Sequence, residues 1–159
     1  MAKLTIAAMG KLKETYWQAA AAEYIKRLPP HLKPIIKEVR EEPFPPNVAS
    51  ALRQNILTKE GKKLLSLVPT DSYIIALDVG GRNISSEGTA RVLGKLWDAG
   101  RNVAFIIGGP LGIADEIRSA AQECWSLSAL TFTHQMARVI LLEQIYRAYK
   151  INNGEKYHW

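Results

Sequence analysis

Strand-like apolar runs alternate with segments of helical periodicity along this chain, and that alternation limits the possible folds more than any other feature. The strand-like runs lie at residues 4–9, 35–39, 73–79 and 102–107, and the first two helical segments at 14–28 and 48–67. Because strands that alternate with helices pair in parallel, the pattern predicts an α/β fold with an open, mainly parallel sheet flanked by helices. No repeat or linker interrupts residues 1–159, which we expect to form a single domain.

Glycine and serine residues suggest where the middle elements begin and end. Gly80 and Gly81 are expected to turn the chain after the third strand, since glycine pairs punctuate strands. Ser85 or Ser86 can cap the following helix, and Gly100 is placed to end it.

The charge and the scarcity of cysteine narrow the class of protein. Lys and Arg outnumber Asp and Glu by 21 to 15, a net charge of +6. That surplus suits an anionic partner such as RNA, although many small proteins are basic without binding one. Cys124 is the single cysteine and the three histidines lie far apart, so we expect no metal site. No apolar run approaches the roughly 20 residues of a membrane span, which predicts a cytoplasmic protein without a membrane partner.

A glycine-rich loop at residues 108–112 follows the fourth strand and precedes a helix predicted at 114–123. Ligands of open α/β sheets bind at the carboxyl ends of strands, where glycine allows close approach. The loop matches neither the dinucleotide fingerprint nor the P-loop, and a tight turn without a ligand is the alternative. Asp78, near the end of the third strand, favours a cofactor cleft because its carboxylate needs solvent or a partner there.

The segment 125–132 is predicted to be a strand that merges into a loop. Its two serines and one threonine bring hydroxyl groups among large apolar residues, a surface that can hold an adenine ring against main-chain groups. A half-buried strand with alternating faces is the alternative.

Two further groups of residues could carry chemistry. His134 and Arg138 lie four residues apart at the start of a helix predicted over 134–149, and therefore on one face. An imidazole can take a proton near pH 7 and a guanidinium can bind phosphate, but a solvated helix face explains the pair equally well. The sequence finishes with Tyr157, His158 and Trp159, an aromatic group that can dock on its own subunit, on a partner or on a nucleobase.

Several of these motifs, in this order, resemble the RlmH family of SPOUT-class methyltransferases along nearly the whole chain. The matching segments are Leu-Thr-Ile-Ala-Ala-Met-Gly-Lys at 4–11, Ile-Gly-Gly-Pro-Leu-Gly at 107–112, Ser-Leu-Ser-Ala-Leu-Thr at 126–131, His-Gln-Met-Ala-Arg at 134–138, Glu-Gln-Ile-Tyr-Arg-Ala-Tyr-Lys-Ile at 143–151, and Tyr-His at 157–158. The family methylates N3 of a pseudouridine in large-subunit ribosomal RNA.

The resemblance implies a SPOUT domain over residues 1–159 with a C-terminal trefoil knot, which the general rarity of threaded chains would argue against. It also implies a homodimer that binds S-adenosylmethionine, mainly through backbone groups. The cofactor contacts that it implies are Leu77, Gly108, Leu127, Ser128, Ala129, Leu130, Thr131 and Phe132. The partner subunit completes the family's pocket, so Tyr157 and His158 are expected to act across the dimer, and Trp159 is given no catalytic role.

The expected reaction is a methyl transfer to a ring nitrogen that must first lose its proton. His158 or His134 is the candidate general base. Arg138 would stabilise negative charge on the carbonyl groups of the nucleobase or bind phosphate. The small size suggests that the assembled ribosome presents the RNA. One alternative is a non-catalytic, basic α/β protein that binds ribosomal RNA during assembly; another is a doubly wound nucleotide-binding enzyme, which the missing fingerprint disfavours.

Overall fold

In the computed structural model, which describes residues 2–158, five strands form one sheet in which every neighbouring pair is parallel. The strands are β1 (Leu4–Met9), β2 (Ile35–Val39), β3 (Tyr73–Asn83), β4 (Val103–Ile107) and β5 (Glu123–Ser126), in the order β2-β1-β4-β3-β5. The predicted α/β class and the open parallel sheet are therefore confirmed.

Five α-helices flank this sheet on its two faces. They are α1 (Thr15–Arg27), α2 (Ser50–Leu67), α3 (Ser86–Asp98), α4 (Asp115–Ala120) and α5 (His134–Asn152), with a short 3-10 helix at Pro30–Leu32. Helices α1, α3 and α5 pack around a core that includes Phe105, whereas α2 and α4 pack on the other face against Ile106. Because side chains alternate along a strand, β4 is buried on both faces.

The helix ends at α3 and α5 follow the capping rules. Ser85 caps α3, since its hydroxyl accepts a hydrogen bond of 2.9 Å from the backbone N–H of Gly88. Gly100 follows the helix with φ of +66°, the left-handed conformation that glycine adopts easily. Thr133 caps α5 through the N–H of Met136. Both caps lie where the chain leaves the carboxyl edge of the sheet.

The predicted turn at Gly80 and Gly81 is wrong, because β3 runs on through both glycines to Asn83. Its pairing with β5 shifts register between Leu77 and Arg82, so that both residues pair with Trp125. A Cβ atom on Gly81 would lie 2.7 Å from the carbonyl oxygen of Cys124, which explains why glycine is needed there. Gly81 thus serves strand–strand contact instead of chain reversal.

Two predicted boundaries after β4 are also wrong. The helix expected over 114–123 ends at Ala120, and Glu123 begins β5 by pairing with Ile75. Strand β5 ends at Ser126, so most of the segment expected as strand over 125–132 is loop. Pairing with β3 therefore overrides the local helical preference of residues 121–123.

Candidate active site at the carboxyl edge of the sheet

A cavity of about 480 Å³ opens at the carboxyl ends of β3, β4 and β5. Its wall is formed by residues 77–79, by the glycine loop and by the chain from Trp125 to the start of α5. Parallel strands bring these three segments to one edge although they are distant in sequence. The size falls within the range of small-molecule sites.

The glycine loop is a tight turn as well as a cavity wall. The backbone N–H of Gly112 donates to the carbonyl of Gly109 over 3.0 Å, and Gly112 has φ of +93°. A Cβ atom on Gly108 would overlap the backbone of Gly112 and lie 2.7 Å from a side-chain carbon of Ile113. The loop is therefore a tight turn that needs glycine at residue 108 and that also lines the cavity.

The hydroxyl groups after β5 shape their own loop. Ser126 donates to the carbonyl of Ser128 over 2.8 Å, and the Ser128 hydroxyl accepts a 3.0 Å hydrogen bond from the N–H of Leu130. Within the described chain, no backbone–backbone hydrogen bond outside helices and strands involves residues 127–132. Apart from the two groups already bonded to serine, the main chain of this loop therefore stays available to a ligand.

Most of the predicted cofactor contacts line the cavity, and Ala129 does not. The lining includes Leu77, Gly108, Leu127, Ser128, Leu130, Thr131 and Phe132. The side chain of Ala129 is exposed instead.

His134 lies at the cavity wall in contact with a carboxylate that the sequence analysis missed. Its Nε2 atom lies 3.1 Å from Oε1 of Glu41, while its Nδ1 atom is buried without a described partner. Burial is the main cause that lowers the pKa of His134, and nearby Arg138 adds to it, whereas Glu41 opposes the shift. Burial therefore favours the neutral imidazole at pH 7, in which Nε2 donates to Glu41 and Nδ1 is left as the proton acceptor.

Arg138 is buried below the cavity, with only 2% of its surface exposed. Its guanidinium pairs with Glu38 and donates a 2.9 Å hydrogen bond to the carbonyl of Gly10. These contacts join α5 to the ends of β1 and β2. In this arrangement the guanidinium faces its own chain and is not presented to an incoming phosphate.

Tyr157 and His158 do not line the cavity of their own chain, but are held between α3 and α5. The Tyr157 hydroxyl donates to Glu143 over 3.1 Å, and burial together with that carboxylate raises the pKa of Tyr157 to about 12. Nδ1 of His158 lies 3.1 Å from Arg147, and Nε2 lies 2.7 Å from Glu87.

The chemistry of its neighbours assigns the tautomer of His158. A guanidinium can only donate, so Nδ1 is the acceptor from Arg147, and Nε2 carries the proton that is donated to Glu87. The Glu143–Arg147 pair has the i, i+4 spacing that could have revealed part of this cluster in the sequence. No such spacing pointed to Glu87 in the sequence. Trp159 lies outside the described residues.

Residues 2–158 contain no group of three or more His, Cys, Asp or Glu side chains that could hold a metal ion. Their helices include none that is long and apolar enough to cross a membrane.

Comparison with known proteins gives consistent matches over almost the full length. The family described as "Predicted SPOUT methyltransferase" matches residues 2–158. The "Ribosomal RNA large subunit methyltransferase H" of Halothermothrix orenii is 46% identical to this chain, over 98% of the chain and 99% of that protein. The protein of the same name from Clostridium novyi is 47% identical, over 98% of each.

Solved structures with low sequence identity share the fold. A probable methylase family protein from Haemophilus influenzae has a TM-score of 0.57 at 15% identity, covering 99% of this chain and 71% of that one. The A. aeolicus TrmH/SpoU tRNA modifying enzyme has a TM-score of 0.53 at 14% identity, covering 97% of this chain and 78% of that one. At these identities the likeness concerns the fold alone.

Proposed function

Since the chain belongs to the SPOUT methyltransferase family, we propose that it transfers a methyl group from S-adenosylmethionine to N3 of a pseudouridine in large-subunit ribosomal RNA. The observation that carries this proposal is the cavity at the carboxyl edge of the sheet, which is lined by most of the loop 127–132, whose main chain is largely without hydrogen bonds within the loop. A non-catalytic role in ribosome assembly is disfavoured, because the family and both relatives are methyltransferases.

The residues of the cavity suit this cofactor. Leu77 and Leu127 supply an apolar wall for a purine ring, and the main chain beside them can pair with its edge. Gly108 allows the tight turn that lines the cavity, since any side chain there would meet Gly112. When bound, the cofactor supplies an activated methyl group, and the protein supplies alignment. The proposed contacts are Leu77, Gly108, Leu127, Ser128, Leu130, Thr131 and Phe132, whereas Ala129 lies outside the cavity lining.

The proton of the ring nitrogen is proposed to leave to a histidine. His134 lies at the cavity and is neutral at pH 7, which suits a general base. His158 is the alternative base, and it could reach only the cavity of a second subunit. Arg138 acts by fixing the start of α5 through Glu38, so its contribution is positioning.

We propose further that the protein is a homodimer in which Tyr157 and His158 complete the partner's cavity. Leu130 and Val79 support an interface at the cavity mouth, because these apolar side chains are 70% and 59% exposed there. Mixing a His134→Ala variant with a His158→Ala variant should then restore about a quarter of the wild-type sites, since heterodimers keep one intact site. Without any recovery in the mixture, both histidines would have to belong to the same subunit's site or only one of them would matter.

The setting of the reaction completes the proposal. The surplus of positive charge favours ribosomal RNA as partner. We place the enzyme in the cytoplasm and expect the assembled ribosome to present the base. The trefoil knot implied by the family is part of the same proposal.

The test combines labelled S-adenosylmethionine with ribosomal particles, separate subunits and naked RNA, and then maps the labelled nucleotide. Label at N3 of one pseudouridine in the large-subunit RNA supports the proposal, and the best substrate identifies the presenting particle. RNA binding without label would favour the assembly role, and failure to bind the cofactor in calorimetry would remove the enzyme function. Gly108→Ala is the variant expected to lose cofactor binding.

A further inference from the structure

Asp78 is the single carboxylate among the described residues that line the cavity, and the proposed reaction leaves it without a role. Its side chain is 14% exposed, near the end of the regular part of β3. Oδ2 accepts a 2.8 Å hydrogen bond from Nε of Arg118 on α4. No donor from residues 2–158 reaches Oδ1, so this oxygen has free capacity to face a ligand.

The charge balance around Asp78 is negative. Arg118 is shared, because its Nη1 atom also binds the carboxylate of Asp115 over 2.7 Å. The Asp115 side chain is 83% exposed, so solvent screens its charge, but the sharing leaves Arg118 to compensate Asp78 only in part. The lining includes neither Lys nor Arg, and its other titratable group, His134, is neutral at pH 7. Asp78 is therefore the one formally charged residue of the described lining, and its carboxylate is only partly compensated.

The geometry points to Asp78 as the residue that makes the cavity prefer the charged cofactor over its demethylated product. This inference rests on the proposed function. S-adenosylmethionine carries a positive sulfonium, and S-adenosylhomocysteine carries a neutral thioether at the same place. The rest of the two molecules is the same. A fixed negative charge in the cavity wall therefore attracts the sulfonium of S-adenosylmethionine and not the thioether of S-adenosylhomocysteine. Transfer of the methyl group removes the attraction and favours product release.

The size of the effect follows from charge interactions in a partly shielded site. A single pair of opposite charges there contributes on the order of a tenfold change in affinity, equivalent to about 1.4 kcal/mol. The preference is a ratio of two dissociation constants measured on the same variant. General damage to the cavity therefore changes both dissociation constants in the same direction, and its effect largely cancels in their ratio.

The experiment is calorimetric titration of the full chain with each ligand, in wild type and three variants. Asp78→Asn should lower the preference for S-adenosylmethionine about tenfold, mainly by weakening binding of the charged ligand. Arg118→Gln should raise the preference, because it leaves the Asp78 charge uncompensated. Asp115→Asn is the matched control, which removes a carboxylate from the same arginine outside the cavity and should stay within about twofold of wild type.

Opposite changes in the first two variants would establish the inference. A ratio within about twofold of wild type in both Asp78→Asn and Arg118→Gln would overturn it. Should Asp78→Asn fail to fold, the direction of the Arg118→Gln change decides. If wild type bound neither ligand, the proposed function itself would fail, which is a distinguishable result.

Discussion

Gly80 and Gly81 are neighbours in β3, yet an added methyl group would meet very different surroundings at the two positions. On Gly81 a Cβ atom would lie 2.7 Å from the carbonyl oxygen of Cys124, 2.8 Å from its carbonyl carbon and 2.9 Å from that of Trp125. On Gly80 the nearest atom would be Oδ2 of Asp78, at 3.6 Å. Neither glycine has a positive φ, so alanine is compatible with the backbone angles at both. The two substitutions therefore differ in packing alone.

The expected loss for Gly81→Ala can be worked from these distances. An ordinary contact between two carbon atoms needs about 3.5 Å, so the 2.8 Å approach to the carbonyl carbon of Cys124 would require β5 to move by roughly 0.7 Å. Overpacking of this kind costs about 1–3 kcal/mol, and backbone contacts put this site at the upper end because they cannot rotate away. Replacing glycine returns about 0.4–1 kcal/mol by restricting the unfolded chain. The net loss is about 2 kcal/mol, which lowers Tm by roughly 4–8 °C in a chain of this length.

Thermal and urea unfolding followed by circular dichroism measures this difference, with Gly80→Ala as the matched control. The control should be as stable as wild type or slightly more stable. Gly81→Ala should also weaken S-adenosylmethionine binding, because movement of β5 displaces the loop at 127–132. If the two variants unfolded within about 0.5 kcal/mol of each other, the close approach of β3 to β5 would not limit stability, and the reasoning would be refuted.

Three ionisable residues give further predictions. Glu38→Gln removes the counter-charge of buried Arg138 and should destabilise the fold by about 2 kcal/mol in urea unfolding; a change near zero would mean that the pair is solvated. Glu41→Gln should move the acidic limb of the methyl-transfer rate to lower pH, since Glu41 raises the pKa of His134 against the effect of burial; a limb that does not move would exclude His134 as the base. Glu60 is buried and its pKa is raised, mainly by desolvation, so its ionisation weakens the fold as pH rises through that pKa. Glu60→Gln should therefore be more stable than wild type at pH 7, with the gain vanishing below about pH 4, and an equal gain at both pH values would contradict this cause.

The sequence predicted the strands at the centre of the sheet closely, and their burial explains this success. Leu4–Met9 is buried at every position and the run at 102–107 differs from β4 by one residue, because strands covered on both faces are apolar along their length. Gly81 could not be interpreted correctly from local sequence. Its neighbour is the main chain of Cys124, more than 40 residues away, and a glycine that permits such an approach looks the same as one that permits a turn.

The candidate site was predictable where one segment of chain forms it, and less so where distant segments meet. Gly108 and the loop at 127–132 could be recognised from the sequence, by glycine-rich composition and by hydroxyl groups among apolar residues. Both contribute to the lining of one cavity. Glu41 beside His134 and Arg118 beside Asp78 were missed, because each pair joins elements far apart in the chain. Ion pairs of that kind depend on the tertiary fold and leave no periodic signal.

The position of β5 in the sheet has a consequence for how a bound ligand would act on the protein. Strand β4 lies at the centre of the sheet, whereas β5 has four residues and pairs with β3 alone. Backbone amides of β4 should exchange with solvent only through near-global unfolding, and those of β5 through cheaper local opening. The cavity wall spans both strands, so a ligand seated there would link a slowly exchanging central strand to a faster-exchanging edge strand. Cofactor binding would then appear in hydrogen exchange as protection of β5, growing with ligand concentration while β4 stays nearly unchanged.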